Sequence, residues 1–439
     1  MNQIFDVVIV GGGVAGIFAG IALSQSNLKV VILDKGKPVS KRKCLWDCKK
    51  HPDICDVSCG EGGAGLFSDG CLHYSTQIGG DSVNPTLFEH YKKIIDKIYE
   101  DSGLSTYIGY PEREFLQELK GLNLKYADIE QRVFGEDKVI PLIEYLKSLW
   151  NKNTVSKMNV EVKEISKTKS GFKTLTDKDT YESRFVIVGT GQWGHKLIKQ
   201  TCDSLRINVS EVPTSYGFRI ETLYDRLKDV TRRFYNWKVY GEKFRTFCIN
   251  NRGRVLMHRG EEFRLSTNGS HSNSEPTENT NLAIISYMYP QEMLSIMRSR
   301  KSNEPPILQR WKDLIEKRVT TKESLEKNTV KPTLKRFTLG NFWELFGERI
   351  IKDFIADMNR FSQFSPNMIH DDLLIMGPEL KYFYLTYPQT EQYESKQVPG
   401  IFFVGDANAN CYAIVMSSLS GYVAGEEIYK KSLSQRGVK

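Results

Sequence analysis

Glycines at positions 11, 13 and 16 follow the apolar run Asp6-Val-Val-Ile-Val, and Asp34 closes the next apolar run twenty-three residues after Gly11. This spacing suits a dinucleotide. Gly11 permits a tight turn, Gly13 lets a pyrophosphate approach the backbone, and Gly16 lets a helix pack against the strand. A helix opening at Val14 and Ala15 offers unpaired N–H groups and the positive end of its dipole to the phosphates. Asp34, followed by Lys35, can accept hydrogen bonds from the adenosine ribose, and its charge argues against a 2′-phosphate.

Three more segments bear on which dinucleotide is bound. In Gly60-Glu-Gly-Gly-Ala-Gly-Leu-Phe-Ser-Asp-Gly70, four glycines fall within six residues. Such a backbone can wrap a ligand, and its successive N–H groups can form an anion nest. Gly62, Gly63, Ala64, Gly65 and Gly70 are assigned to that loop, with Ser68 and Asp69 placed to bond ribityl hydroxyls or the isoalloxazine edge. Alternation around Val160–Ile165, which includes Val162, and around Phe172–Leu175 predicts a hairpin; the continuous apolar run Phe185–Val188 then predicts a buried parallel strand ending at Gly189-Thr190-Gly191. Gly189-x-Gly191-x-x-Gly194, with Glu211 downstream, also permits a second, NAD-binding unit. Finally, Gly400-Ile-Phe-Phe-Val-Gly405-Asp406 reads as a strand delivering a carboxylate to the ribityl chain. A helix beginning near Ala413 and Ile414 faces the flavin's N1–C2=O edge. Together the four segments specify FAD.

Candidates for chemistry beyond the cofactor are His73, Tyr74, Arg219, Arg245, Asn281 and Lys381. His73 and Tyr74 lie just past the glycine-rich loop, where a proton donor or a hydroxyl would serve; a hydrogen-bonded, half-buried histidine is the competing reading of His73, and core aromatic packing that of Tyr74. Arg219 and Arg245 can clamp a carboxylate or form ordinary ion pairs. Cys44, Cys48, Cys55 and Cys59 are spaced C-x3-C-x6-C-x3-C. Four thiolates can close a zinc or iron–sulfur site, but zinc sites more often use C-x2-C halves, so unliganded thiols are the expectation. His51 is a conceivable substitute ligand.

A chain of 439 residues can bury more than one core. Its eight cysteines, with no basic leader ahead of the apolar start, fit a reducing cytoplasm. No apolar run approaches a membrane span. Net charge is +8, and between Asp225 and Arg264 eleven Lys or Arg face five Asp or Glu. That stretch reads as a solvated face or as an entry funnel for an anionic small molecule; nucleic acid is the less favoured partner. The expected fold is α/β: a Rossmann-like FAD-binding domain, with a parallel sheet plus an antiparallel meander, and an inserted α+β substrate domain. The FAD-binding parts are placed at 1–90, 136–203 and 377–439, a helical insertion at 91–135, and the substrate domain at 204–376. Helices are predicted from Ile307 to Glu326 and from Trp343 to Met358.

The order of these motifs resembles the glutathione-reductase-type flavoprotein fold. More narrowly, it resembles a family of largely uncharacterised bacterial FAD-dependent dehydrogenase-like proteins. The matching stretches are Gly60–Gly70, Gly217-Phe-Arg-Ile-Glu221, Arg245-Thr-Phe-Cys-Ile-Asn250, Asn268-Gly-Ser-His, Glu278-Asn-Thr-Asn281, Gly377-Pro-Glu-Leu-Lys381 and Gly405-Asp406. The resemblance implies FAD and a redox role, without a substrate. Two positions depart from the relatives' pattern: Cys71 where they carry Lys, and Gly405-Asp-Ala-Asn-Ala-Asn where they read Gly-Asp-Gly-Ala-Gly.

The leading functional expectation is an FAD-dependent oxidoreductase passing hydride between an organic substrate and flavin N5, with NADH or NADPH as a transient donor. The alternatives are a flavin monooxygenase, a flavin-dependent RNA-modifying enzyme and a non-catalytic flavin scaffold.

Overall fold

A computed structural model describes residues 2–43, 54–67, 70–80, 83–259, 265–301, 303–381 and 384–435. Its centre is a five-stranded parallel sheet in the order Ile401–Phe403, Phe185–Val188, Val7–Val10, Val30–Asp34, Thr154–Met158. Strands covered on both faces must be apolar throughout, and the first three are fully buried. Val7 and Ile9 share a core with the helices Val14–Leu23 and Ile414–Gln435. Val8 and Val10 point the other way, into a core with Ile165, Phe172 and Tyr181 of the antiparallel meander. The two helices touch almost backbone to backbone: a Cβ on Gly421 would fall 2.0 Å from the Ala15 carbonyl oxygen. Squeezed between sheet and helix, all ten residues of Val14–Leu23 are buried, which explains a helix apolar on every side.

The second body is a ten-stranded mixed sheet. Its centre is the pairing of Thr214–Leu223 with Asn279–Met288 on one side and Leu374–Leu380 on the other. Alternation splits its residues. Tyr216, Phe218 and Ile220 join Phe342, Phe346 and Phe354 of the helix Phe342–Phe361 in an aromatic core. That helix breaks at Gly347, whose φ is 77°. The opposite side of the sheet carries Arg219 and Phe247 and stands over the dinucleotide body.

Two expectations about local structure change. The predicted helix over Ile307–Glu326 is a strand, Ile307–Arg310, followed by two short helices, Trp311–Ile315 and Lys322–Glu326. The strand pairs with Leu374–Leu380 and Thr338–Leu339, and sheet pairing overrides the helical spacing. Ile315 and Val319, which that spacing would bury, are 46% and 43% exposed. Segment 91–135 is not purely helical. Besides the helices Pro85–Asp101 and Arg113–Gly121 it holds strands Thr106–Gly109, Lys125–Tyr126 and Glu130–Val133. No helix among the described residues is long and apolar enough to cross a membrane.

Candidate functional site

At the carboxyl end of Val7–Val10 the chain turns through Gly11 at φ 114°, where a Cβ would sit 2.2 Å from the Gly189 carbonyl oxygen. Only glycine fits there. The next N–H, of Gly12, donates to Asp34 Oδ2 at 2.8 Å, and Gly36 N–H donates to Oδ1 at 2.7 Å. Asp34 therefore ties the first turn to the second while each oxygen keeps acceptor capacity for a ligand. The glycine-rich loop is laid against this turn by Gly62 N–H donating to the Gly12 carbonyl at 2.8 Å and by a bridge between Gly13 and Gly62. A Cβ on Gly16 would lie 2.0 Å from the Gly11 carbonyl oxygen, so that glycine serves helix packing, as its spacing predicts.

The third and fourth segments meet the first two from the neighbouring strands. Asp406 Oδ2 accepts from Gln192 Nε2 at 3.2 Å, and its Oδ1 accepts from Ala413 N–H at 3.2 Å and Ser417 Oγ at 3.3 Å. Burial pushes the Asp406 carboxyl above its ordinary range, against those three hydrogen bonds. Lys35 Nζ donates to the Trp193 carbonyl at 2.9 Å and lies 4.8 Å from the indole centroid, closing the other end.

These segments enclose a single cleft of about 1550 Å³, counting its open mouth. Gly11, Gly13, Val14, Ala15, Asp34, Lys35, Gly62, Gly63, Ala64, Gly65, Val162, Gly189, Thr190, Gly191, Gly405, Asp406, Ala413 and Ile414 all line it. Gly16 and Gly70 do not; Gly70 instead packs with its Cβ position 2.0 Å from the Phe134 carbonyl oxygen. Ser68 and Asp69 lie outside the described residues, as do Cys44, Cys48 and His51. Cys55 and Cys59 are buried beside Val57 and Trp193, and Cys59 lines the cleft. Burial raises the Cys59 thiol well above its ordinary range. No group of three or more metal-ligating side chains occurs among the described residues.

The catalytic candidates separate. Strand Cys71–Tyr74 turns Cys71 and His73 to the cleft and sends Leu72 and Tyr74 into the core. Tyr74 is therefore a core aromatic, its phenol pushed up by burial and by Asp96. Arg219 is no ligand clamp either. It is wholly buried, donating from Nε to Glu379 Oε2 at 3.0 Å and from Nη2 to Oε1 at 2.7 Å. Asn281 serves that guanidinium, accepting from Nη1 at 2.8 Å. Burial would raise the Glu379 carboxyl, but Arg219 and Lys381 outweigh it and hold it at about 2. Lys381 does reach the cleft; its Nζ lies 3.0 Å from Glu379 Oε1 and donates to Asn268 Oδ1 at 3.3 Å. Arg245 lies beside Phe247 rather than beside Arg219's partners, with its Nε donating to Tyr287 Oη at 3.1 Å.

Sequence reasoning missed Phe247, Cys248, Asn268, Gln192, Trp193 and Tyr412, all of which line the cleft. Gln192 and Trp193 lie inside the Gly189–Gly194 stretch and were within its reach. Phe247, Cys248 and Asn268 lie inside stretches that carry the family resemblance, which gave them no role of their own.

One further expectation falls. The second dinucleotide unit is absent among the described residues: Phe185–Val188 belongs to the same parallel sheet, and Glu211 pairs with Lys199 at 2.9 Å. The basic stretch divides: Arg233 pairs with Glu112 and Glu118 and Arg254 with Glu275 at the surface, whereas Lys238 and Arg245 are buried.

Comparison with known proteins agrees with the N-terminal geometry. Residues 6–42 match the family described as FAD binding domain. An uncharacterized protein of Clostridium beijerinckii is 41% identical over 69 residues, a match spanning 15% of this chain and 13% of that protein. Among solved structures, glycine oxidase from Geobacillus kaustophilus is 13% identical, with 98% of this chain and 95% of that one covered at a TM-score of 0.43. L-alpha-glycerophosphate oxidase from Mycoplasma pneumoniae is 12% identical, with 97% and 94% covered, also at 0.43. Likenesses of this degree carry nothing about the reaction.

Proposed function

We propose that the chain is an FAD-dependent oxidoreductase that passes hydride between an organic substrate and flavin N5, as a reductase or dehydrogenase. The observation that carries this reading is convergence. Four segments remote in sequence line one cleft at the carboxyl ends of a parallel sheet, the usual seat of a dinucleotide.

The residues present fit the group. The cleft is walled by bare backbone at Gly11, Gly13, Gly63, Gly189 and Gly191, where phosphates need close approach. Asp34 offers acceptors to a ribose, and Asp406 sits where a ribityl chain would run. When bound, the flavin supplies the electron-accepting ring that no side chain provides. The chain's own part is to bind and orient. The N-termini of Val14–Leu23 and Ile414–Gln435 would offer their positive dipole ends to negative charge on the bound group. His73 stands in the wall that would meet a substrate, able to hold or move a proton at a ring nitrogen. With one nucleotide fold among the described residues, NADH or NADPH would visit only transiently.

The test is direct. Purified protein should be yellow and should release FAD, rather than FMN, on heating. Gly13→Val is the sharp variant. A Cβ there meets nothing closer than Gly63 Cα at 3.5 Å, an ordinary contact, so the backbone accepts a side chain at this position, and its methyls should compete with a phosphate for the same close approach. A folded Gly13→Val protein with undiminished FAD would refute the placement.

A further inference from the structure

The cleft wall formed by the ten-stranded sheet gathers positive charge around one aromatic ring. Phe247 lines the cleft. Arg245 Cζ lies 4.8 Å from its centroid, Lys238 Nζ 5.2 Å and Lys381 Nζ 5.8 Å. All three cationic side chains are buried.

Among the described residues, the acids set against this charge answer Lys381. Glu379, paired with Lys381, is held at the same time by two nitrogens of Arg219. Asp406 lies within electrostatic reach of Lys381. Arg245 stands outside that balance. Its Nε donates to the Tyr287 hydroxyl, and its buried Nη1 has no hydrogen-bond partner among the described residues. Around its guanidinium stand the phenols of Tyr287, Tyr412 and Tyr240, hydroxyl groups rather than carboxylates. Tyr412 itself lines the cleft. A buried cation without an anion is costly, and folded proteins meet that cost with a partner or a ligand.

We propose that this wall seats an anionic group of the substrate, a carboxylate or phosphate. Lys381 meets it directly, and the charge of Arg245 behind Phe247 adds attraction. Ile78 and Ile414, which also line the cleft, leave room for an apolar body on the same molecule. The inference rests on the flavoenzyme reading and adds the substrate's chemical class.

The experiment titrates FAD-loaded protein with benzoate, with phenylphosphonate and with benzyl alcohol as the neutral counterpart, following the flavin's visible absorbance. At least one anion should bind saturably and the alcohol should not; the two anions separate carboxylate from phosphate. Lys381→Met should weaken the anion about ten- to hundred-fold, the loss expected for one charge-assisted hydrogen bond, with FAD content unchanged. Arg245→Met should weaken it as well, whereas Arg245→Lys, which keeps the charge and guards against a folding artefact, should retain most of the affinity. Equal binding of the alcohol, no perturbation by either anion, or unchanged affinity in Lys381→Met and Arg245→Met would each overturn the proposal. Protein that takes up no FAD counts against the flavoenzyme reading instead. Calorimetric titration of that protein with the same anions then decides the wall on its own.

Discussion

Replacing Glu379 by Gln removes the negative centre of a wholly buried network: the two nitrogens of Arg219, the ammonium of Lys381 and the Thr267 hydroxyl, which donates at 2.8 Å. The size of the loss follows from the carboxyl's own affinity for protons. An ordinary glutamate titrates at 4.5, and this one is held at about 2. At about 1.4 kcal/mol for each tenfold change, that gap is worth about 3 kcal/mol of folding stability. Breaking a buried ion pair by removing one partner costs about 3–5 kcal/mol, which agrees. Because the folded value is depressed, the contribution is fully present above pH 4.5 and is lost as pH falls toward 2. Glu221 supplies the internal contrast. Equally buried on the same sheet, it is raised to about 7 by burial, which outweighs its bonds from Thr333 and Asn279. Its linkage has the opposite sign, with stability lost as pH rises from 4.5 through 7. Urea unfolding of the loaded protein, followed by tryptophan fluorescence from pH 3 to pH 8, reads both. Glu379→Gln should lower stability by about 3 kcal/mol at pH 7 and by much less at pH 3. Glu221→Gln should remove the decline between pH 5 and pH 7. A Glu379→Gln protein within about 1 kcal/mol of wild type at pH 7, or a deficit that persists undiminished in acid, would refute the network's role.

Two further outcomes are expected. Asp357 is buried and accepts from the N–H groups of Glu242, Lys243 and Phe244 at 2.8, 2.7 and 2.7 Å. Asp357→Asn turns an NH₂ toward donors and should cost about 3 kcal/mol in the same urea experiment; a loss below about 1 kcal/mol would contradict that geometry. In the loaded protein, His73→Ala should shift the flavin's visible bands and Tyr74→Phe should leave them in place. The reverse order would mean that the strand faces the other way.

The dinucleotide half was legible because its constraints are local. A backbone that must turn at φ 114° or let a phosphate come close writes glycine into a short window, and a strand buried on both faces writes an unbroken apolar run. The catalytic half is settled by pairing at a distance, which no window contains. Arg219 and Arg245 read alike as cations near apolar residues. Only the register of Thr214–Leu223 against Leu374–Leu380 spends one of them on a glutamate 160 residues away. His73 and Tyr74 differ by one step in a strand, and one step decides between cleft and core. The Ile307–Val319 spacing misled for the same reason, since Ile307–Arg310 pairs with Leu374–Leu380 as a strand despite its helical periodicity. The residues most informative about a substrate are those placed by such long-range pairing. Phe247, Asn268 and Lys381 come from three strands or strand ends of the ten-stranded sheet and converge only when that sheet closes over the cleft. The chemistry of the substrate therefore has to be read from the charge gathered at that wall, and with Lys381 at the cleft and Arg245 behind Phe247 that charge is positive.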